Sequence, residues 1–286
     1  MKRFHLSLGD LTGLLSLILG GLLLFLAPVF FLVPLALFLA LCMAAPFLPR
    51  FGFFLPIVSK GRAKKRAVAL TFDDGPDPAS TPELLRLLSA HGMKAAFFVV
   101  GEKAARHPDL VKAILTQGHE VANHSLTHDN LVMFKGRRAL KREIVGTQEI
   151  LGRFGIRPLA FRPPVGITYP MLGQVLPQTG MYALNFTCRA VDGGNRWIKG
   201  LSKRILRQLR PGAIMALHDV KPPDERRFSY WLNEVDRILS GIRAQDFKVV
   251  PLSELIGRPV MMGLPGNAVK KSKAQKLRSR KSSSPR

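Results

Sequence analysis

Residues 67–76 read Ala-Val-Ala-Leu-Thr-Phe-Asp-Asp-Gly-Pro, a short apolar run that ends in two adjacent carboxylates and a Gly-Pro turn. The run has the length and composition of a buried β-strand, and Gly-Pro is typical of an abrupt turn. An acidic pair at such a place is often only turn chemistry, because aspartate and glycine suit tight turns. A functional interpretation of Asp73 and Asp74 therefore depends on which residues stand at the ends of the other strands.

Six further segments have the character of short strands. Besides 67–71, strands are predicted at 95–100, 119–122, 159–161, 182–186, 213–217 and 247–250. Amphipathic stretches with helical spacing lie between most of them, for example at 83–91 and 138–154. Alternation of strands and helices predicts parallel strands with right-handed crossovers. We therefore predict an α/β domain over residues 67–256, with seven strands that suit a barrel.

Polar residues follow most of these strands directly. After the acidic pair they are His124, His128, Arg162, Asp192, His218 and Asp219. The carboxyl ends of parallel strands meet at one edge, where loops build active sites. Two histidines four residues apart, together with one carboxylate, form a metal-binding face with open positions. A second carboxylate, another histidine and an arginine can act as base, acid and the charge that keeps the base ionised. Each motif alone has an ordinary structural explanation, but together they predict metal-assisted hydrolysis of an amide.

The N-terminal segment, residues 1–66, is predicted to anchor the chain in a membrane. No charged residue occurs from Leu11 to Leu48, a run too long for one span of a bilayer. Pro28 and Pro34 can break a helix there, so we predict two short spans near 11–27 and 29–48, followed by a basic juxtamembrane linker. A cleaved signal peptide and a buried hairpin of a soluble protein are the alternatives. Positive residues flank both ends of the run, which favours a cytoplasmic domain.

Charge is the other strong feature of the composition. The chain has 43 Lys+Arg against 19 Asp+Glu, a net charge of +24, and residues 257–286 form a basic tail without apolar periodicity. The tail is predicted to be disordered. Together with the basic residues of the linker, the tail suits an anionic membrane surface. One alternative is a solvated end without a specific role. The other is a nucleic-acid binder, an interpretation that only the charge supports. The two cysteines, Cys42 and Cys188, exclude a disulfide framework and a thiolate metal cluster.

Four motifs stand in a fixed order along the chain. They are Thr-Phe-Asp-Asp-Gly-Pro at 71–76, His-Ser-Leu-Thr-His at 124–128, Arg-Pro-Pro-Val-Gly at 162–166 and Leu-His-Asp at 217–219. With them the sequence resembles the NodB-type polysaccharide deacetylases, carbohydrate esterase family 4, over roughly residues 66–256. The resemblance implies an irregular (β/α)7 barrel that binds one divalent ion. Zn²⁺ is the first candidate for this ion, and Co²⁺, Ni²⁺ and Fe²⁺ are the alternatives. It implies a hydrolase that removes an N-acyl group from an amino sugar in a polysaccharide or a lipid-linked saccharide. N-acetyl is the first candidate for the acyl group. With the predicted spans, the expected location is a bacterial inner membrane.

The same resemblance implies a role for each matched residue. Asp73 is expected to be the general base, Arg162 its positioning partner and His218 the general acid. The expected metal ligands are Asp74, His124 and His128. The backbone N–H of Val165 is expected to stabilise the oxyanion. Leu217 and Trp197 are expected to line the pocket for the acyl group. For Trp197 the alternative is that its side chain simply packs in the hydrophobic core.

The sequence departs from the family pattern in two places. Many members have an aromatic residue where Val165 stands. The difference is expected to change stacking against the sugar, whereas the oxyanion contact is made by the backbone and should be retained. The usual Asp-x-x-Asp-Trp motif is replaced by Asp-Gly-Gly-Asn-Arg-Trp at 192–197. Asn195 takes the place of the second aspartate, so either Asp192 tunes the acid histidine or the tuning is lost. The altered motif is the one support for an alternative function, a catalytically silent basic protein that binds anionic polymer or membrane.

Overall fold

The computed structural model describes residues 6–62 and 66–264. Its first feature is a hairpin of two apolar helices, α1 (Leu8–Leu26) and α2 (Val33–Ala44). Ser7 and Asp10 form a capping box at the start of α1. The chain reverses through a short 3₁₀ turn at Pro28–Phe30, and Pro34 occupies the first turn of α2, where a missing N–H costs no helical hydrogen bond. The two prolines thus stand at the break between the helices.

The hairpin leaves most of its apolar surface uncovered. A Cβ at Gly13 would lie 2.9 Å from the ring of Phe38, so glycine allows the helices to approach closely. In each segment, Leu8–Leu26 and Pro28–Phe47, only 11% of the most apolar stretch is buried. A hairpin in the core of a soluble protein would be mostly buried, so that alternative does not fit the described chain. By length and composition both segments qualify as membrane spans, a test that a signal sequence also passes.

The remaining elements form a curved parallel sheet covered by helices. The strands are β1 (Ile57–Val58), β2 (Ala67–Asp73), β3 (Ala95–Val99), β4 (Glu120–Asn123), β5 (Ile156–Pro158), β6 (Ala160–Phe161), β7 (Tyr182–Leu184), β8 (Cys188–Arg189), β9 (Ile214–His218), β10 (Lys248–Val249) and β11 (Met261–Gly263). The helices are α3 (Ser80–Ala90), α4 (Gly101–Arg106), α5 (Pro108–Thr116), α6 (Gly136–Gly152), α7 (Pro170–Gln178), α8 (Leu201–Leu206), α9 (Glu225–Ala244) and α10 (Leu252–Ile256). The order in the sheet is β1-β7-β6-β4-β3-β2-β9-β8, with β10 beside β2, and β5 pairs separately with β11.

All seven predicted strands are present, and the α/β half-barrel agrees with the predicted fold. The prediction missed β1, β5, β8 and β11, because two or three residues carry no readable periodicity. Two of these strands extend the domain past the expected limits of 67 and 256. β1 lies in the expected linker and pairs with β7, and Lys60 then forms an antiparallel bridge with Ala213, so this segment spans the open side of the half-barrel. β11 lies in the expected tail, whose residues 265–286 are outside the described chain.

Alternation along the strands separates two packing layers. On β2, Leu70 and Phe72 face the helices, where they join a core that includes the buried leucines of α3. Ala69 faces the concave side, among other small residues such as Ala96 and Ala216. Because the period of a strand is two, Asp73 also faces the concave side. The inner face of the half-barrel therefore has room for polar side chains at its carboxyl-end edge.

Candidate active site

The two adjacent carboxylates face different partners. Asp73 is the last residue of β2 and is 5% exposed. Asp74 has a left-handed backbone, with φ 71°, which turns its side chain away from the direction that strand alternation would give. The Lys103 ammonium on α4 donates to the Asp74 carbonyl at 2.8 Å. One carboxylate can thus act on a proton while its neighbour binds a cation.

Asp74, His124 and His128 form a compact cluster of donors. Asp74 Oδ1 lies 3.2 Å from His124 Nε2 and 2.9 Å from His128 Nε2, and the ligand atoms of all three lie within 4.8 Å of one another. His124 Nδ1 is 2.8 Å from the Arg162 carbonyl, so this nitrogen carries the proton and Nε2 has its lone pair towards the cluster. Burial would raise the pKa of Asp74, but the contacts with His124 and His128 outweigh it and hold that pKa far below its usual range. Two imidazole nitrogens and one ionised carboxylate fit a divalent metal ion.

The loop that carries both histidines is held by α6. Ser125 and His128 both have left-handed backbones, with φ 70° and 59°. The Glu143 carboxylate accepts from the backbone N–H of Leu126 at 2.9 Å and of Thr127 at 2.8 Å. It therefore offsets part of the strain in the loop by binding amides that the turn leaves unpaired. Sequence reasoning missed Glu143, although it is the first acidic residue in a basic stretch that begins at 135.

Asp73 is paired with a fully buried arginine. Arg162 is 0% exposed, and its Nη1 donates to Asp73 Oδ1 at 2.6 Å and to Thr71 Oγ1 at 2.7 Å. Its guanidinium packs 3.9 Å from the centre of the Phe98 ring. Burial lowers the pKa of Arg162, and contact with Asp73 offsets part of this effect. A buried guanidinium requires an anionic partner, and its contact with Asp73 fixes the orientation of that carboxylate.

His218 stands opposite Asp73 on the neighbouring strand, in register with it. His218 Nδ1 lies 2.7 Å from Asp192 Oδ1, and the Asp192 side chain is fully buried. Burial disfavours the imidazolium of His218, but Asp192, with Asp74 and Asp73 farther away, raises its pKa to about 9. Asn195, at the altered position of the motif, donates from Nδ2 to the carbonyls of His218 at 3.1 Å and Val220 at 2.7 Å. It therefore holds the backbone, and Asp192 is the carboxylate that contacts the imidazole.

The three residues assigned to the substrate pocket lie in different environments. Val165 is 51% exposed in a tight turn with φ 52°, and Trp197 is 67% exposed, so plain core packing is wrong for Trp197. A Cβ on Gly194 would lie 4.0 Å from Asp74 Oδ2, so the loop of residues 192–197 passes beside the donor cluster. Leu217 was wrongly assigned. It precedes His218 on β9 and so faces the opposite side, where it is 1% exposed and packs in the helix-facing core with Phe72.

Asp219 supports the loop that carries the acidic pair. Its carboxylate is fully buried and accepts from Ser80 Oγ and Thr81 Oγ1, both at 2.6 Å. A Cβ at Gly75 would lie 2.2 Å from Asp219 Oδ2, so the turn after Asp74 requires glycine. Burial raises the pKa of Asp219 to about 7, against the lowering effect of the two hydroxyl groups. Sequence reasoning noted Asp219 only as part of a motif and gave it no role.

Comparison with known proteins shows which family the sequence and the fold resemble. The family model described as polysaccharide deacetylase matches residues 60–184. A chitooligosaccharide deacetylase of Sinorhizobium fredii is 35% identical over 176 residues, which are 60% of this chain and 80% of that protein. The structure of a peptidoglycan N-acetylglucosamine deacetylase superposes with a TM-score of 0.65 at 27% identity, covering 71% of this chain and 94% of the other.

A third similarity concerns the fold alone. A carbohydrate esterase family 4 pseudoenzyme from Bacillus anthracis superposes with a TM-score of 0.62 at 23% identity, over 70% of this chain and 69% of the other. The fold by itself therefore does not decide activity, and the site residues must carry that conclusion. On the sequence match and the shared fold, this chain belongs to the polysaccharide deacetylase family.

Proposed function

We propose that this chain is a metal-dependent N-deacetylase of an amino sugar. The observation that supports it most is the grouping of three pairs of side chains at one edge of the sheet. Asp74 lies with two histidines, Asp73 with Arg162, and His218 with Asp192. An amide hydrolase needs a cation site, an oriented base and a protonated acid around one reacting carbon, and these groups suit the three roles.

Asp74, His124 and His128 are the proposed ligands of one divalent ion, with Zn²⁺ as the first candidate. When bound, such an ion polarises the amide carbonyl and lowers the pKa of a water molecule. Asp73, held by Arg162, takes the proton from the attacking water. The Asp192 carboxylate occupies Nδ1 of His218, which leaves Nε2 to protonate the departing amine. The Val165 N–H donates to the oxyanion as negative charge develops there.

The proposed substrate is an N-acetylated amino sugar in a polymer or on a lipid carrier. The relatives named above carry chitooligosaccharide and peptidoglycan N-acetylglucosamine in their names, which supports the sugar and the acyl group. The two apolar helices support placement in a membrane, and the positive residues at both flanks support a domain on the cytoplasmic side. The basic segments suit an anionic lipid surface. A membrane location favours a lipid-linked saccharide, including a formylated one.

The test is acetate release by the purified full-length protein from chitooligosaccharide, peptidoglycan and a lipid-linked N-acetylated sugar. Asp73→Asn and His218→Ala should each reduce kcat by roughly 10²–10⁴-fold, the usual contribution of a general base or acid. Glu149→Ala, an exposed substitution on α6, is the matched control and should leave kcat unchanged. Release at the same rate by the Asp73 variant would contradict the assignment of the base.

The second candidate function is a silent binding protein, for which the altered motif at 192–197 is the specific observation. Metal content decides between the two. The deacetylase proposal predicts about one divalent ion per chain in the wild type and its loss in His128→Ala, at equal helical content by circular dichroism. A wild type that takes up no Zn²⁺, Co²⁺ or Ni²⁺ would leave the silent protein as the better explanation.

A further inference from the structure

The loops around the site expose large hydrophobic side chains. They belong to residues with exposed fractions of 51% to 77%, namely Leu131, Phe134, Val165, Val191 and Trp197. Each lies in a loop that comes after a strand of the parallel sheet, so all five are at the carboxyl-end edge, around the donor cluster. We call these five residues the apolar collar. Hydrophobic groups concentrated on one exposed edge usually mark a contact with a protein or a membrane.

Cations accompany the two aromatic residues of the collar. Phe134 is followed by Lys135, Arg137 and Arg138, all exposed. Trp197 has exposed Arg196 before it and exposed Lys199 after it. Aromatic rings beside lysine and arginine are typical of surfaces that enter the headgroup region of an anionic bilayer, where rings and cations both find favourable partners. This combination favours a lipid surface over an uncharged apolar protein partner.

The helical hairpin is attached to the same edge of the domain. The Pro46 carbonyl accepts from the Thr168 N–H at 3.3 Å, and the Pro49 carbonyl accepts from Asn185 Nδ2 at 3.0 Å. Asn185 Nδ2 also donates to the Gly166 carbonyl at 3.1 Å, which ties the exit of α2 to the turn that carries Val165. At the other end of the hairpin, the Gly9 N–H donates to the Phe53 carbonyl at 2.8 Å. The exit of the hairpin is thus fixed beside the collar residue Val165, and its start is fixed to the segment that follows the exit.

We propose that the apolar collar docks on the bilayer that the hairpin enters, so that the mouth of the site faces the lipid headgroups. The hairpin and the collar then act together: the hairpin fixes the distance to the membrane, and the collar fixes the tilt of the domain. The choice of substrate rests on the proposed deacetylase function. A mouth that faces the bilayer favours an amino sugar carried by a membrane lipid, because a soluble polymer has less access to it.

The chain contains its own reporter for this contact. It has two tryptophans, of which Trp197 is 67% exposed in the collar and Trp231 is fully buried in the helix-facing core. The full-length protein is reconstituted into vesicles of brominated phosphatidylcholine and phosphatidylglycerol, and tryptophan emission is compared with that in unbrominated vesicles. The proposal predicts loss of emission in the wild type and little loss in Trp197→Phe, where only Trp231 emits. Equal quenching of the two proteins would overturn it.

Two further reporters in the Trp197→Phe background test the orientation. Phe134→Trp places a tryptophan in another collar loop, and Met262→Trp places one on β11, which pairs with β5 ahead of β6 and so lies at the opposite edge of the sheet. Strong quenching at 134 and weak quenching at 262 supports the proposed orientation, and the reverse order overturns it. Acetate release by the wild type from a lipid-linked N-acetylated sugar in the same vesicles is measured in parallel. Quenching without release would contradict the deacetylase function, and release without quenching would contradict only the docking.

Discussion

At the scale of single residues, the site depends on buried charges that stabilise one another. Arg162 is fully buried with Asp73, and the fully buried Asp192 contacts His218. Each pairing prepares one group for the proposed reaction, because Arg162 fixes the orientation of the base and Asp192 raises the pKa of the acid. The change from aspartate to Asn195 does not disturb this arrangement, because Asn195 bonds backbone carbonyls.

Removal of the Asp192 charge should change the pH profile. A general acid acts while protonated, so activity is expected to fall as the pH rises through the pKa of about 9 of His218. Asp192→Asn removes the main group that raises this pKa, so the alkaline limb of kcat should move to lower pH. Asp236→Asn, which removes the carboxylate 2.8 Å from His91 on the protein surface, is the matched control. An alkaline limb that stays in place in Asp192→Asn would exclude the proposed tuning.

Asp219 should make stability depend on pH. Its pKa is about 7 in the folded protein, against an ordinary value of 3.8. Between these values the unfolded chain has lost the proton while the folded protein retains it, so the free energy of unfolding should fall as the pH rises from about 4 to 7. Asp219→Asn should remove this part of the slope. Thermal unfolding in detergent measures it, and parallel Tm-against-pH curves for the two proteins would contradict the assignment.

At the scale of elements, the proposed metal ligands come from loops whose shape is fixed by neighbouring helices. The His124–His128 loop contains two left-handed residues, and the Glu143 carboxylate on α6 binds two of its backbone amides. Beside the turn after Asp74, the Asp219 N–H donates to the Asp73 carbonyl at 2.7 Å, and the Asp219 carboxylate accepts from Ser80 and Thr81 at the start of α3. Helices thus hold the loops in conformations that isolated segments would rarely adopt.

Glu143→Ala should therefore weaken metal binding without removing a ligand. Loss of such supporting contacts usually lowers metal affinity roughly 10–100-fold. Competition with a chelator would measure the affinity, and Glu149→Ala on the same helix is the control. An unchanged affinity in Glu143→Ala would show that the loop keeps its conformation without α6.

At the scale of the whole molecule, the hairpin and the half-barrel form one connected structure. Residues 57–60 follow the hairpin, pair with β7 and reach the start of β9, so this part of the connection to the domain belongs to the sheet. A flexible tether would let the domain face any direction, whereas strand pairing restricts it. Insertion of the hairpin into a membrane, as proposed, would therefore also set the direction of the active site.

The domain should lie on the same side of the membrane as the N-terminus, because two spans return the chain to the side from which it came. Positive residues at both flanks predict that this side is the cytoplasm. Fusions at Arg286 test it: green fluorescent protein exported through the general secretory route does not fluoresce outside the cytoplasm, and alkaline phosphatase is active only there. Phosphatase activity with a dark fluorescent fusion would overturn the cytoplasmic assignment.

The sequence by itself determined the alternation of strands and helices, the apolar run with its prolines, and the residues of the donor cluster. Periodicity, absence of charge and motif spacing are local properties, so they are readable without contacts. Only the tertiary structure decided that Leu217 faces the core, that Glu143 and Asp219 support the catalytic loops, and that residues 57–60 complete the sheet. The direction of a side chain and the pairing of a two-residue strand depend on partners far along the chain, and no local pattern encodes them.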